Sequence, residues 1–240
     1  MLPDLPIHVV LTFILITLIV FFWFVFGLFQ ASQHLGDIRI RRNVGIVIMA
    51  VVMWLLIQGA LAYSGFYLDF DRFPPRLLVF GIFPVLIMFI AAPFLISAKS
   101  RFIRAISLEG LTYIQAVRFP VEIVLWWLFI YGAIPKLMTF EGRNFDILVG
   151  ITAPLVGYYC FTRPKAPPTL ALLWNYLGLA LLFNIVINAI LAAPTPLQQF
   201  GFDQPNVAVV YFPFIWLGVF IVPVVYVAHI ISIKRLSGGR

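Results

Sequence analysis

An all-helical, polytopic membrane fold is what this sequence predicts, and three observations predict it. Apolar residues make up 63 % of the 240 positions and charged residues only 10 %, against roughly 25 % in an ordinary soluble domain. So few charges cannot cover a water-facing surface, and lipid must be the solvent for most of the chain. The apolar residues also fall in continuous runs, near the ~20 residues a helix needs to cross a hydrocarbon core. Finally, the runs do not alternate polar and apolar, as the ~10-residue strands of a membrane barrel would. Helices remain, because backbone polar groups in lipid must be satisfied within their own segment.

Seven such segments follow in order, forming one transmembrane domain over residues 1–240. The first, His8–Gln30, is preceded by Asp4 and by no Lys or Arg, so it reads as a span and not as a cleavable signal. The second is Val44–Ser64, the third Leu77–Ser97 and the fourth Leu111–Ile134. The fifth, Phe145–Thr162, is the shortest, and Thr169–Ala193 and Ala208–Ile233 complete the set. Pro84, Pro93, Pro120, Pro154, Pro213 and Pro223 fall inside these segments and should bend or break them, freeing carbonyls that need another partner. Segments three and seven each carry two prolines, Pro84 and Pro93, then Pro213 and Pro223. FPVLIMFIAAP can be laid beside FPFIWLGVFIVP with one insertion, which suggests two parallel three-helix halves joined by segment four. Phe66, Tyr67, Phe70 and Phe73, and Phe200, Phe202, Tyr211 and Phe212, gather near segment ends as interfacial anchors.

Orientation is read from Lys and Arg in the connections. Eleven lie on one side: Arg39, Arg41, Arg42, Lys99, Arg101, Arg104, Arg163, Lys165, Lys234, Arg235 and Arg240. Four, Arg72, Arg76, Lys136 and Arg143, lie on the other. The C-terminus is therefore expected in the cytoplasm and the N-terminus outside, in a bacterial-type inner membrane. The net charge of +7 is spread over these short clusters, which argues against a nucleic-acid partner. Cys160 is the only cysteine, so no disulfide can form within the chain.

The residues that could carry chemistry start in segment four, where Gln115, Arg118 and Glu122 interrupt an apolar run. A charge at the bilayer centre costs about 2.5–3.5 kcal/mol even on lenient insertion scales, so such residues should face inward and find partners. Arg118 and Glu122 are four apart, share a helix face and can pair with each other. Segment six adds Asn175, Asn184 and Asn188, the last two again on one face and Asn184 near the depth of Glu122. The functional reading makes this a midplane site for a proton, cation or small solute. The plainer reading is a structural ion pair with hydrogen bonds between helices. His229 and His34 are further candidates, and for each a simple hydrogen-bonded role competes. No Cys, His or carboxylate set has metal-ligand spacing, no histidine pair suits a haem, and no cofactor is expected. The P-loop, GxGxxG, HExxH and GxSxG signatures are also missing, which weakens the case for an enzyme. Rhodopsins share the seven-helix plan, but segment seven has no lysine before Lys234 to carry retinal at mid-membrane.

The leading expectation is thus a small-solute or ion/proton transporter or channel-like protein. The alternative is a non-catalytic assembly subunit, in contact with a membrane partner or a second copy. A lipid-acting enzyme using His229 or His34 ranks third.

Overall fold

A computed structural model describes Leu2, residues 5–88 and residues 99–238. It is all helical among those residues. Five helices are long and apolar enough to cross a membrane: α1 (Ile7–Leu35), α2 (Ile38–Tyr63), α5 (Leu108–Ile130), α7 (Pro168–Leu191) and α8 (Leu217–Ser237). Two shorter apolar helices are α3 (Leu78–Met88) and α6 (Asp146–Thr162). A short basic helix, α4 (Lys99–Ala105), precedes α5. Residues 89–98, with Pro93 and the expected end of segment three at Ser97, lie outside the described residues, as do Asp4 and Arg240.

Several boundaries differ from expectation for local reasons. Arg39, Arg41 and Arg42 do not sit in a loop. They occupy the start of α2, where the Asp37 carboxylate caps the helix by accepting the Arg39 N–H at 2.8 Å. Gly36, at φ 66°, ends α1 in the left-handed conformation that glycine adopts without strain. The last segment does not run unbroken from Ala208. Ala208–Val210 is a single 3-10 turn, Tyr211 is extended, and the long helix starts only at Leu217.

Two of the expected prolines, Pro84 and Pro223, follow irregular helix, and α2 supplies donors for the carbonyls they free. Leu78–Ile82 and Leu217–Ile221 are π turns, each followed within two residues by a proline, Pro84 and Pro223. A proline cannot bond the carbonyl four residues ahead of it, here Phe80 and Val219. Gln58 Nε2 donates to the Phe80 carbonyl at 2.9 Å and Trp54 Nε1 donates to the Val219 carbonyl at 3.1 Å. Both donors lie on one face of α2, four residues apart. The Gln58 oxygen in turn accepts from the Tyr67 hydroxyl at 2.6 Å. Burial pushes that hydroxyl up to about 12 from 10.0, so it remains a donor at physiological pH. Gln58→Leu should strand both the Phe80 carbonyl and the Tyr67 hydroxyl, at about 1–3 kcal/mol for each buried group left unpaired. Thermal unfolding in detergent reads this directly; an unchanged midpoint would show that the amide is idle.

The main core joins α1, α5, α7 and α8. Phe13 packs on Phe214 at 5.1 Å between ring centroids, and Val124, Leu128, Leu182, Val224 and Ala228 fill the interior. The connections after α5 and α7 fold into one another. Ala133 O accepts from the N–H groups of Val207 and Ala208 at 3.1 Å each, and Gln204 Nε2 bridges the carbonyls of Phe129 and Ile134. The first connection is consequently buried at Ile134, Thr139 and Asn144. That fold-back carries Asn144 and the start of α6 into the protein.

Candidate functional site

The site begins where α5 tightens. Ser107 caps its first turn, accepting the Gly110 N–H at 3.1 Å, and Ile114–Val117 is wound as a 3-10 turn immediately before Arg118. Pro120 lies just beyond and has no N–H to give to Ala116. Arg118 and Glu122 are 4 % and 2 % exposed, so both charges point inward.

Arg118 does not pair with Glu122 in the way the four-residue spacing suggests. Its Nε lies 3.4 Å from Asp146 Oδ2, and among the described residues this is its one ion pair. Its Nη2 donates to the Gly178 carbonyl at 3.1 Å, and its Nη1 lies 3.4 Å from His229 Nε2. Asp146 opens α6, where free N–H groups and the helix dipole favour a carboxylate. Glu122 Oε1 instead accepts from Asn144 Nδ2, which also donates to the Met138 carbonyl at 3.1 Å. Asn144 Oδ1 accepts the Asp146 N–H at 3.1 Å, so one amide sets the position of both acids.

Hydrogen bonds fix the His229 tautomer. Asn175 Nδ2 donates to the Ala171 carbonyl at 2.8 Å, leaving Asn175 Oδ1 to accept from His229 Nδ1, also at 2.8 Å. Nδ1 therefore carries the proton, and Nε2 turns its lone pair toward the guanidinium. Gly178 makes this approach feasible. A Cβ there would sit 2.6 Å from His229 Cε1 and 2.8 Å from Nε2. Gly178→Ala should push the imidazole off Arg118 at a cost of about 1–3 kcal/mol of overpacking, visible as a lower unfolding midpoint and an altered histidine NMR signal. An alanine variant with both unchanged would contradict the close approach.

The other expected residues divide. Gln115 is buried and clasps α8, donating to the Val225 carbonyl at 3.0 Å. Asn184 and Asn188 do not reach the acids. Asn184 donates to the Arg143 carbonyl at 2.8 Å, and Asn188 donates back to the Asn184 carbonyl at 2.8 Å, so this pair holds the buried connection in place. His34 is exposed in the last turn of α1 and joins nothing at the site. Sequence reasoning missed Asn144, Asp146 and Gly178. A usable signal existed: Asp146, Gly150, Ala153 and Gly157 fall on one face of α6, a small-residue stripe headed by an acid.

A cavity of about 50 Å³ adjoins this cluster, with Arg118, Glu122, Asn144 and Asp146 at its polar end and aliphatic residues of α5, α7 and α8 around the rest. Glu122 Oε2 and Asp146 Oδ1 are buried and have no hydrogen-bond partner among the described residues. A second cleft, of about 250 Å³, lies between α1 and α5 and has no charged lining. No group of three or more His, Cys, Asp or Glu able to hold a metal occurs among the described residues.

Apolar helices long enough to cross a membrane, packed around buried charges, define the class: a membrane-embedded helical protein with an internal polar cluster. The chain belongs to the family described as a domain of unknown function, DUF8737, whose model matches residues 74–237. That span includes every residue of the cluster. No curated protein and no solved structure matches the chain.

Proposed function

We propose that the protein is a small transporter or channel-like protein whose internal site binds a proton, cation or small solute. The observation that carries this reading is the cavity beside Glu122. Two buried carboxylate oxygens, Glu122 Oε2 and Asp146 Oδ1, belong to its lining side chains and are unused by the protein. A buried acceptor without a partner is costly, and these two belong to side chains that line the same cavity. The competing reading is an assembly subunit, and the network around Arg118 supports it. Asp146, Gly178 and His229 together surround that guanidinium as a structural clasp would. The adjoining cavity tips the choice toward transport.

The accompanying topology is seven crossings with the N-terminus outside and the C-terminus in the cytoplasm of a bacterial-type inner membrane. The basic residues at the α1–α2 junction, in α4 and at the end of α8 support that orientation. Two three-helix halves flanking α5 remain part of the proposal. The sequence alignment lays Pro84 beside Pro213, whereas the π turns precede Pro84 and Pro223, so those turns do not support its register.

The test is flux in proteoliposomes under an imposed pH or cation gradient. Wild-type protein should carry a measurable current or dye response, and Glu122→Gln should abolish it. Flux that is equal in wild type, Glu122→Gln and Arg118→Ala would end the transport reading.

A further inference from the structure

We infer that the ligand of the cavity beside Glu122 is a single proton, held on the Glu122 carboxyl, and not a metal cation. The inference deepens the site reading above and depends on that cavity being the working site.

The first argument is a count of charge. The groups facing the cavity or its charged wall are Arg118 and Glu122 from α5, Asn144 from the buried connection, and Asp146 from α6. Behind them stand Asn175 and the Gly178 carbonyl from α7, and His229 from α8. His229 is neutral, because Nδ1 donates to Asn175 and Nε2 offers its lone pair to Arg118. Arg118 is always charged. With both acids ionised, one negative charge would remain in a region walled by Val121, Leu125, Leu182 and Ile185. An uncompensated buried charge is the arrangement proteins avoid most strongly. Asp146 already has the guanidinium at 3.4 Å, whereas the contact to Glu122 is a neutral amide. The proton therefore belongs on Glu122.

The second argument is the donor set. A hard cation needs about six oxygen ligands. The cavity offers two free carboxylate oxygens, while the Asn144 oxygen already accepts the Asp146 N–H, and aliphatic side chains form most of the rest. Arg118 adds a positive charge beside any metal ion. A proton needs only one acceptor and a next hop. It adds to Glu122 Oε2, the oxygen that Asn144 leaves free, and turns the carboxylate into a neutral acid. The new O–H can donate to water, for which about 50 Å³ is ample. Release is the reverse transfer, and no electrons move.

Infrared difference spectroscopy of the full chain in lipid nanodiscs tests this without measuring transport. At neutral pH the wild type should show a protonated-carboxyl stretch that shifts in D₂O and is unaffected by sodium. Glu122→Gln should lose it completely. Asp146→Asn should lose it as well, since Glu122 then becomes the sole counter-ion of Arg118 and ionises. Circular dichroism and gel filtration confirm that the isosteric variants fold. A missing band in wild type, a band that survives Glu122→Gln or Asp146→Asn, or one that sodium removes would overturn the inference. A correct band with no flux in proteoliposomes would leave it standing and defeat only the transport reading; flux without the band would do the opposite.

Discussion

Adding one methyl group at Gly150 should pull α6 away from α5 and take Asp146 from Arg118. A Cβ at Gly150 would collide with the backbone nitrogen of Phe119 and lie 3.0 Å from its Cα. Those are main-chain atoms in the first turn of the α-helical part of α5, one residue after Arg118, and they cannot swing aside as a side chain would. At Gly157 the obstacle is softer. A Cβ there meets the Tyr113 ring at 2.9 Å, and a ring can tilt. At Gly45 in α2 and Gly27 in α1 nothing lies within 4 Å. The expected order of destabilisation is therefore Gly150→Ala first, Gly157→Ala second, and Gly45→Ala and Gly27→Ala near zero or mildly stabilising, since alanine is the better helix former. Overpacking typically costs about 1–3 kcal/mol, and a helix backbone as the obstacle puts Gly150→Ala at the upper end. Gly150→Leu should prevent folding. Tryptophan fluorescence during thermal unfolding in detergent would rank the four alanine variants. Finding Gly150→Ala as stable as Gly45→Ala would mean that α5 and α6 are not in contact at this point.

That stripe also explains what the sequence could and could not tell. Apolarity located α1, α2, α5, α7 and α8, because lipid demands it of any spanning helix. It located their ends poorly. Hydropathy marks the apolar part of a helix, whereas α2 begins six residues earlier than its apolar run, among arginines. Nor does apolarity mark the inward face. In lipid both faces are greasy, and packing selects small residues instead. Arg118 and Glu122 were legible because charges inside an apolar run stand out. Asn144 and Asp146 were not, because they border an expected outer connection, where polar residues are unremarkable. Nothing local foretold that residues 131–145 fold back inward, since Gln204 and Ala133 pin that connection to residues about 70 positions away. The same fold-back gave Arg118 a better partner than the one on its own helix.

Among the charged residues of the cluster the largest effect should come from Arg118, and its pattern separates a true pair from mere proximity. Arg118→Leu deprives Asp146 of its counter-ion and the Gly178 carbonyl of its donor. Removing one member of a buried pair costs about 3–5 kcal/mol, because the other is left uncompensated. Asp146→Leu should cost less, although it strands a guanidinium that cannot shed its proton. The reason is Glu122, one turn along α5 from Arg118, which stands ready to replace the lost carboxylate. Arg118→Leu/Asp146→Leu should be markedly less destabilised than the sum of the two, since an apolar pair of similar volume is often neutral where a broken ion pair is not. A double-mutant cycle on unfolding in detergent gives the coupling, expected at about 1–3 kcal/mol in favour of the pair. Adding Glu122→Gln to Asp146→Leu should then cost the full penalty that Asp146→Leu alone avoids, because no carboxylate is left to face Arg118. Additive energies around this cycle would mean that the guanidinium is held by the Gly178 carbonyl and His229 alone, and that the two acids are bystanders to it.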